Sequence, residues 1–261
     1  MQLPKALRFL ETLTQAASPA MNRRDAFGSL GKLATVGIPL AAATLTPGTV
    51  RAQTAGTSVV DVLNFALTLE YLEAEFYARG LDADGLLSGD LRDKIALIGE
   101  HEDKHVEFLR TAISGAGGTP IQQPLFDFTA GGTFPDVFSN EATFLALAQA
   151  FEDTGVRAYK GQAGNLIGND EVLTAALRIH SVEARHASEI RRIRGSRGWI
   201  IRAENTSAPA AAAVYAGEDE TTQLGLEVGT VTTASTDQIT AAFDEPLSRE
   251  AVLDIAGLFL A

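Results

Sequence analysis

Two stretches of this 261-residue chain repeat one another along their helical faces. Leu63, Ala66, Glu70 and Tyr77 recur as Leu145, Ala148, Glu152 and Tyr159, each 82 positions further on. Ile98, Glu102, His105 and Leu109 recur as Ile179, Glu183, His186 and Ile190, each 81 positions further on. Two shifts so nearly equal describe two copies of one unit, each a pair of helices. The second helix of each pair carries Glu-x-x-His. Residues three apart share a helix face, so each motif points a carboxylate and an imidazole the same way. The four histidines of the chain, His101, His105, His180 and His186, all lie in or beside these motifs.

Apolar periodicity places four long helices at about 57–81, 90–113, 140–162 and 170–194. Thr57/Ser58, Ser139 and Asn169 are their start signals, and Gly195 stops the last. Helices one and two are joined by a short Asp/Gly turn, and three and four by residues 163–169; short links make neighbours antiparallel. The link at 114–139 is long enough to run the length of a bundle. Two helical hairpins and one long crossover predict an all-α, ferritin-like four-helix bundle. Beyond Gly195 the composition turns to Ala, Thr and Gly, with a strand-like stretch at Thr230-Val231-Thr232-Thr233 and a short final helix at 248–260. This irregular C-terminal extension is expected to pack on the bundle or on a partner subunit of a homo-oligomer.

A metal site inside such a bundle takes one carboxylate from each of two helices and Glu-x-x-His from each of the other two. The repeat nominates Glu70, Glu102, His105, Glu152, Glu183 and His186. A lone Glu-x-x-His is usually a solvated surface pair, but Ile98 and Leu109, and Ile179 and Ile190, set both motifs on apolar stripes. Four carboxylates in one bundle interior are costly to ionise without cations, and two divalent ions would balance them. Carboxylate-rich sites with one histidine per metal accept iron and manganese alike. A polar core without metal is the alternative. Tyr77 and Tyr159 stand seven residues after Glu70 and Glu152, two turns along the same face. They are candidate catalytic neighbours of the metals, either as hydroxyl donors to a ligating carboxylate or as redox-active groups; a core tyrosine with its hydroxyl at the edge is the plainer reading. Glu73 is an extra ligand or the true first one, but Gly155 stands at its counterpart, so the repeat favours Glu70. His101 and His180 have no counterparts and read as outer groups. Arg191, Arg192, Arg194 and Arg197 end helix four, where cations offset the helix dipole.

The chain has no cysteine, so disulfides, zinc–thiolate sites and cysteine nucleophiles are excluded. A net charge of −12 argues against nucleic acid or an anionic membrane as partner. Met21-Asn22-Arg23-Arg24-Asp25-Ala26-Phe27, an apolar stretch to about Leu45 and the small-residue site Val50-Arg51-Ala52 read as a twin-arginine export signal. The Gly- and Ala-rich run is short for a membrane anchor, so no stable insertion is expected once the signal is removed. Either residues 1–20 extend the signal or Met21 is the start. The expected organisation is a signal at 1–52, the bundle at 53–195 and the extension at 196–261.

The run Leu63-Asn64-Phe65-Ala66-Leu67-Thr68-Leu69-Glu70-Tyr71-Leu72-Glu73-Ala74-Glu75-Phe76-Tyr77 resembles the first helix of secreted ferritin-like domain proteins, a group related to the desiccation-related proteins. Phe151-Glu152-Asp153-Thr154-Gly155, the two Glu-x-x-His motifs and Phe243-Asp244-Glu245-Pro246-Leu247 are similar to the same group. The resemblance implies a ferritin-like fold and, through the wider superfamily, a di-iron or di-manganese centre meeting dioxygen or peroxide. A periplasmic or extracellular protein of stress protection follows from it, as does the rival reading of a non-catalytic scaffold. Iron storage needs a closed shell of subunits, which the extension and export disfavour.

Overall fold

The first helix starts where Ser58 and Asp61 exchange hydrogen bonds: Asp61 N–H donates to Ser58 Oγ at 3.1 Å, and Ser58 N–H to the Asp61 carboxylate at 3.0 Å. This capping box satisfies two donors that a helix start leaves free. A computed structural model describes residues 58–203 and 209–261. Its four long helices are α1 (Val59–Asp82), α2 (Gly89–Gly115), α3 (Glu141–Ala163) and α4 (Asp170–Ile193). α1 packs chiefly on α2 and α3 on α4, and the two hairpins meet along α1–α3 and α2–α4. The all-α four-helix expectation therefore holds. The start of α3 differs by one residue: Asn140, not Ser139, caps it, because Asn140 Oδ1 accepts from Ala142 N at 3.0 Å and Thr143 N at 3.4 Å.

The crossover is an ordered strap. Ile121 N–H donates to Asn64 Oδ1 at 2.9 Å, and Asp127 Oδ1 and Oδ2 accept from Thr129 N and Gly131 N, both at 3.0 Å. That turn drives Phe126, Phe128 and Phe134 inward. Phe128 joins Phe76, which stacks on Phe144 with ring centres 4.6 Å apart. Aromatic packing thus closes one end of the bundle.

The extension contains a two-stranded hairpin, β1 (Thr222–Gln223) and β2 (Leu226–Glu227), then α5 (Thr236–Thr240) and α6 (Arg249–Ala256). The strand expected at 230–233 is not there. Pairing falls on Thr222↔Glu227 and Gln223↔Leu226, around Leu224 and Gly225 at φ 53° and 79°. Two φ-positive residues in a row make the tight turn, whereas a run of β-branched residues without a partner makes no ladder. The final helix is also shorter than expected. α6 gives way to a 3₁₀ turn at Gly257–Phe259, since the chain end pairs with the crossover: Asp127 N–H donates to Phe259 O and Ala261 N–H to Leu125 O, each at 2.9 Å.

A buried arginine ties the extension to the bundle. Arg157 on α3 is fully enclosed, donates to the carbonyls of Val214, Ala216 and Glu245, and pairs with Glu218 at 2.8 Å. One turn on, Gly161 lets the backbone of Leu247 press against α3; a Cβ there would sit 2.0 Å from Leu247 O. A second bond network runs through Asp153, which accepts from Arg191 and from the Tyr215 hydroxyl, the latter at 2.7 Å. Arg191 is thus a buried ion-pair partner rather than only a compensating charge at a helix end. The export signal expected at 1–52 lies outside the described residues. Among those described, no helix is long and apolar enough to cross a membrane.

Candidate metal centre

Each of the four helices brings one glutamate to the same point midway along the bundle. Glu70 (α1), Glu102 (α2), Glu152 (α3) and Glu183 (α4) are all fully buried. His105 and His186 follow one turn after the glutamates of α2 and α4, as three-residue spacing requires. The six nominated residues form two sets, Glu70, Glu102, His105, Glu183 and Glu102, Glu152, Glu183, His186, with donor atoms in each set within 4.8 Å of one another. Glu102 and Glu183 belong to both. Glu70 with His105, and Glu152 with His186, complete one set each, so the sequence repeat becomes a two-fold arrangement.

The distances show how tightly the donors converge. His105 Nδ1 lies 2.9 Å from Glu102, 3.1 Å from Glu70 and 3.3 Å from Glu183. His186 Nδ1 lies 2.7 Å from Glu102 Oε1 and 3.3 Å from Glu152 Oε2. Those last approaches lack the angles of hydrogen bonds. Glu102 Oε1, Glu152 Oε2, both oxygens of Glu183 and His186 Nδ1 are buried without a hydrogen-bond partner. Buried polar atoms left without partners are costly and demand an explanation.

A fifth carboxylate raises the charge further. Glu73, one turn beyond Glu70, is also buried. Gly155, at the matching place on α3, clears the space: a Cβ there would lie 2.8 Å from Glu183 Oε2 and 3.3 Å from Glu73 Oε1. The repeat is broken here in a way that admits an added acid and leaves room for the Glu183 carboxylate.

Electrostatics follows from this crowding. Burial, and then the neighbouring carboxylates, hold Glu73 and Glu183 well above the usual carboxylate range. Burial lifts Glu102 to about 7, against the pull of His105 and His186. Burial opposes charge on the histidines, but the carboxylates prevail, raising His105 and bringing His186 to about 10. Two imidazolium groups and shared protons are thus what the donor cluster needs when cations are absent. A pair of divalent cations meets the same need through the orphaned lone pairs, with nitrogen and oxygen donors that suit iron or manganese. The residues fit a di-metal site.

Around this cluster the tyrosines cross over. Tyr77 on α1 donates to Glu152 on α3 at 2.5 Å, and Tyr159 on α3 donates to Glu70 on α1. Burial and the adjacent carboxylate raise both phenols well above their ordinary range, so both keep their protons. His101 Nδ1 lies 2.9 Å from His186 Nε2, with the rings stacked. His101 therefore backs His186 from behind, and no such group backs His105, because Val182 stands at the corresponding place. His180 belongs to neither donor set. The sequence signal for His101 is its position four residues before His105, one turn away on the same helix.

Four helices, two crossing hairpin copies and one shared glutamate–histidine cluster describe one class of protein. The chain belongs to the ferritin-like domain family, whose model matches residues 58–196. Comparison with the curated proteins finds no match.

Proposed function

We propose that this chain is an exported ferritin-like protein that holds two iron or manganese ions and uses them in redox protection against peroxide or dioxygen. The observation that supports it most is that Glu102 and Glu183 are common to two donor sets, each completed by its own glutamate and histidine. In this reading Glu102 and Glu183 would serve both metal positions, Glu70 and His105 would complete one, and Glu152 and His186 would complete the other. Iron or manganese held there would supply two-electron exchange with peroxide or dioxygen.

The chain's own groups hold the donors ready. Tyr77 and Tyr159 fix one oxygen of Glu152 and of Glu70, leaving the other for binding. With His186 Nε2 as donor to His101 Nδ1, 2.9 Å away, the Nδ1 lone pair of His186 would be left facing the carboxylates. Burial of all four glutamates keeps bulk water from the donors. Glu73 supplies a further carboxylate beside Glu183.

Export by the twin-arginine route to the periplasm or exterior, a signal ending near Ala52, and kinship with desiccation-related proteins belong to the same reading, supported by the sequence alone. Two experiments test it. Iron(II)-loaded protein should consume peroxide or dioxygen, and Glu102→Ala should lose that activity; equal rates in both would leave only a scaffold role. Arg23→Lys with Arg24→Lys should retain the protein inside the producing cell, and unchanged export would rule out the twin-arginine signal.

A further inference from the structure

The two halves of the bundle carry the same donors but end differently. At the Tyr77 end, Phe76 and Phe144 are fully buried and stacked, and Ile95 is likewise fully buried. Applying the 82- and 81-residue shifts, the corresponding residues at the Tyr159 end are Ala158, Val62 and Ala176. Three large side chains are thus replaced by smaller ones, two of them alanines. The volume they would have filled is a cavity of about 510 Å³ between all four helices, with Tyr159 in its wall.

Protein interiors are close-packed, and an apolar-walled cavity of this size, open to solvent at one side, leaves its lining side chains short of packing partners. Roughly seventeen waters' worth of liquid volume would fit, yet apolar walls leave water with few partners. Leu63, Phe65, Leu69 and Leu109 continue the apolar surface inward, while exposed Glu171 and Arg178 stand at the rim. The size and lining are those of a small-molecule pocket. The inner wall has Tyr159, and behind it lies Glu70 with the other carboxylates, which disfavours an anion at the inner end.

We propose that this cavity binds a neutral small molecule with a hydrocarbon body, seated end-on toward Tyr159. The asymmetry gives one end of the bundle a plug and the other a ligand site, and the ligand's inner end meets Tyr159, the residue that holds Glu70. Its purpose rests on the proposed di-metal reading, but the binding itself does not.

The test uses N-phenyl-1-naphthylamine, a neutral fluorescent probe, with the full chain in metal-free and metal-loaded forms, each analysed for iron. Saturable one-to-one binding is expected, displaced by decanol at least tenfold better than by decanoate. Ala158→Phe, which recreates the plug of the other end, should weaken binding at least tenfold. Ala176→Ile makes a milder filling should the first variant fail to fold, and should weaken binding severalfold with an unchanged melting temperature. Absence of saturable binding to the unsubstituted chain, binding unaltered by either folded variant, or preference for decanoate would overturn the proposal. Probe binding in a protein that takes up no metal would leave this site standing and remove the di-metal reading; metal uptake without probe binding would do the reverse.

Discussion

The hydroxyl of Tyr77 reaches across the bundle to Glu152, 2.5 Å away, and not to Glu70 of its own helix. Tyr159 returns the bond to Glu70. Each hairpin therefore steadies the donor of the other, and both halves must be docked before either carboxylate is held. Outer hydrogen bonds of this kind are worth about tenfold to a hundredfold in metal affinity. Tyr77→Phe and Tyr159→Phe are each expected to weaken iron(II) or manganese(II) binding by about that factor, measured by competition with a chelator. The double variant should lose more than either single one.

Gly155 is the second place where the centre depends on one small group. Alanine there would put its Cβ 2.8 Å from Glu183 Oε2. The glutamate must shift or the helix must, and overpacking of this kind costs about 1–3 kcal/mol. Gly155→Ala should reduce metal content and lower the melting temperature. Combining it with Glu73→Ala, which vacates the neighbouring oxygen at 3.3 Å, should recover part of the stability.

The helices and the six donors were legible because helical period and an 81/82-residue repeat are local, countable patterns. Glu102 and His105 share a face by geometry alone, and apolar Ile98 and Leu109 say which way that face points. What sequence could not deliver depends on long-range approach. Nothing local to Arg157 announces that the carbonyls of Val214, Ala216 and Glu245 will converge on it. Gly161 looks like any glycine near a helix end until Leu247 lies against it. Thr230 to Thr233 have strand-forming side chains and no partner, whereas Leu224 and Gly225 make a hairpin turn without a usual turn signature. The cavity was hidden for a related reason: its existence is a difference between two ends, visible once Phe76 and Phe144 are seen stacked.

Arg157 predicts how firmly the extension is held. Removing one partner of a buried ion pair costs about 3–5 kcal/mol, because the other charge is left unpaired. Arg157→Ala should destabilise the protein by about that amount and expose residues beyond Gly217 to limited proteolysis, while leaving the donor cluster intact. Arg157→Ala with Glu218→Ala should be less damaging than the single change, as a double-mutant cycle would read.

Proton linkage gives the metal-free protein a distinctive pH profile. Glu102 and Glu218 rise on folding from 4.5 to about 7, chiefly through burial. The folded chain then holds protons that the unfolded chain has released, so stability falls as pH rises through that window. His186, raised from 6.5 to about 10, contributes stability that is complete below 6.5 and lost as pH climbs toward 10. Metal-free protein should therefore melt at progressively lower temperature from about pH 5 upward. Metal competes with protons for the same donors, so the increase in melting temperature on adding iron(II) or manganese(II) should grow with pH over the same range.

The central claim is that the converging lone pairs of Glu70, Glu102, His105, Glu152, Glu183 and His186 hold two metal ions. Metal analysis of protein purified after iron(II) or manganese(II) reconstitution tests it directly. Two ions per chain are expected, falling to one or fewer in Glu102→Ala and in Glu183→Ala, the glutamates shared by both sets. No bound iron or manganese in the unsubstituted chain, or two ions retained after either shared glutamate is removed, would contradict it.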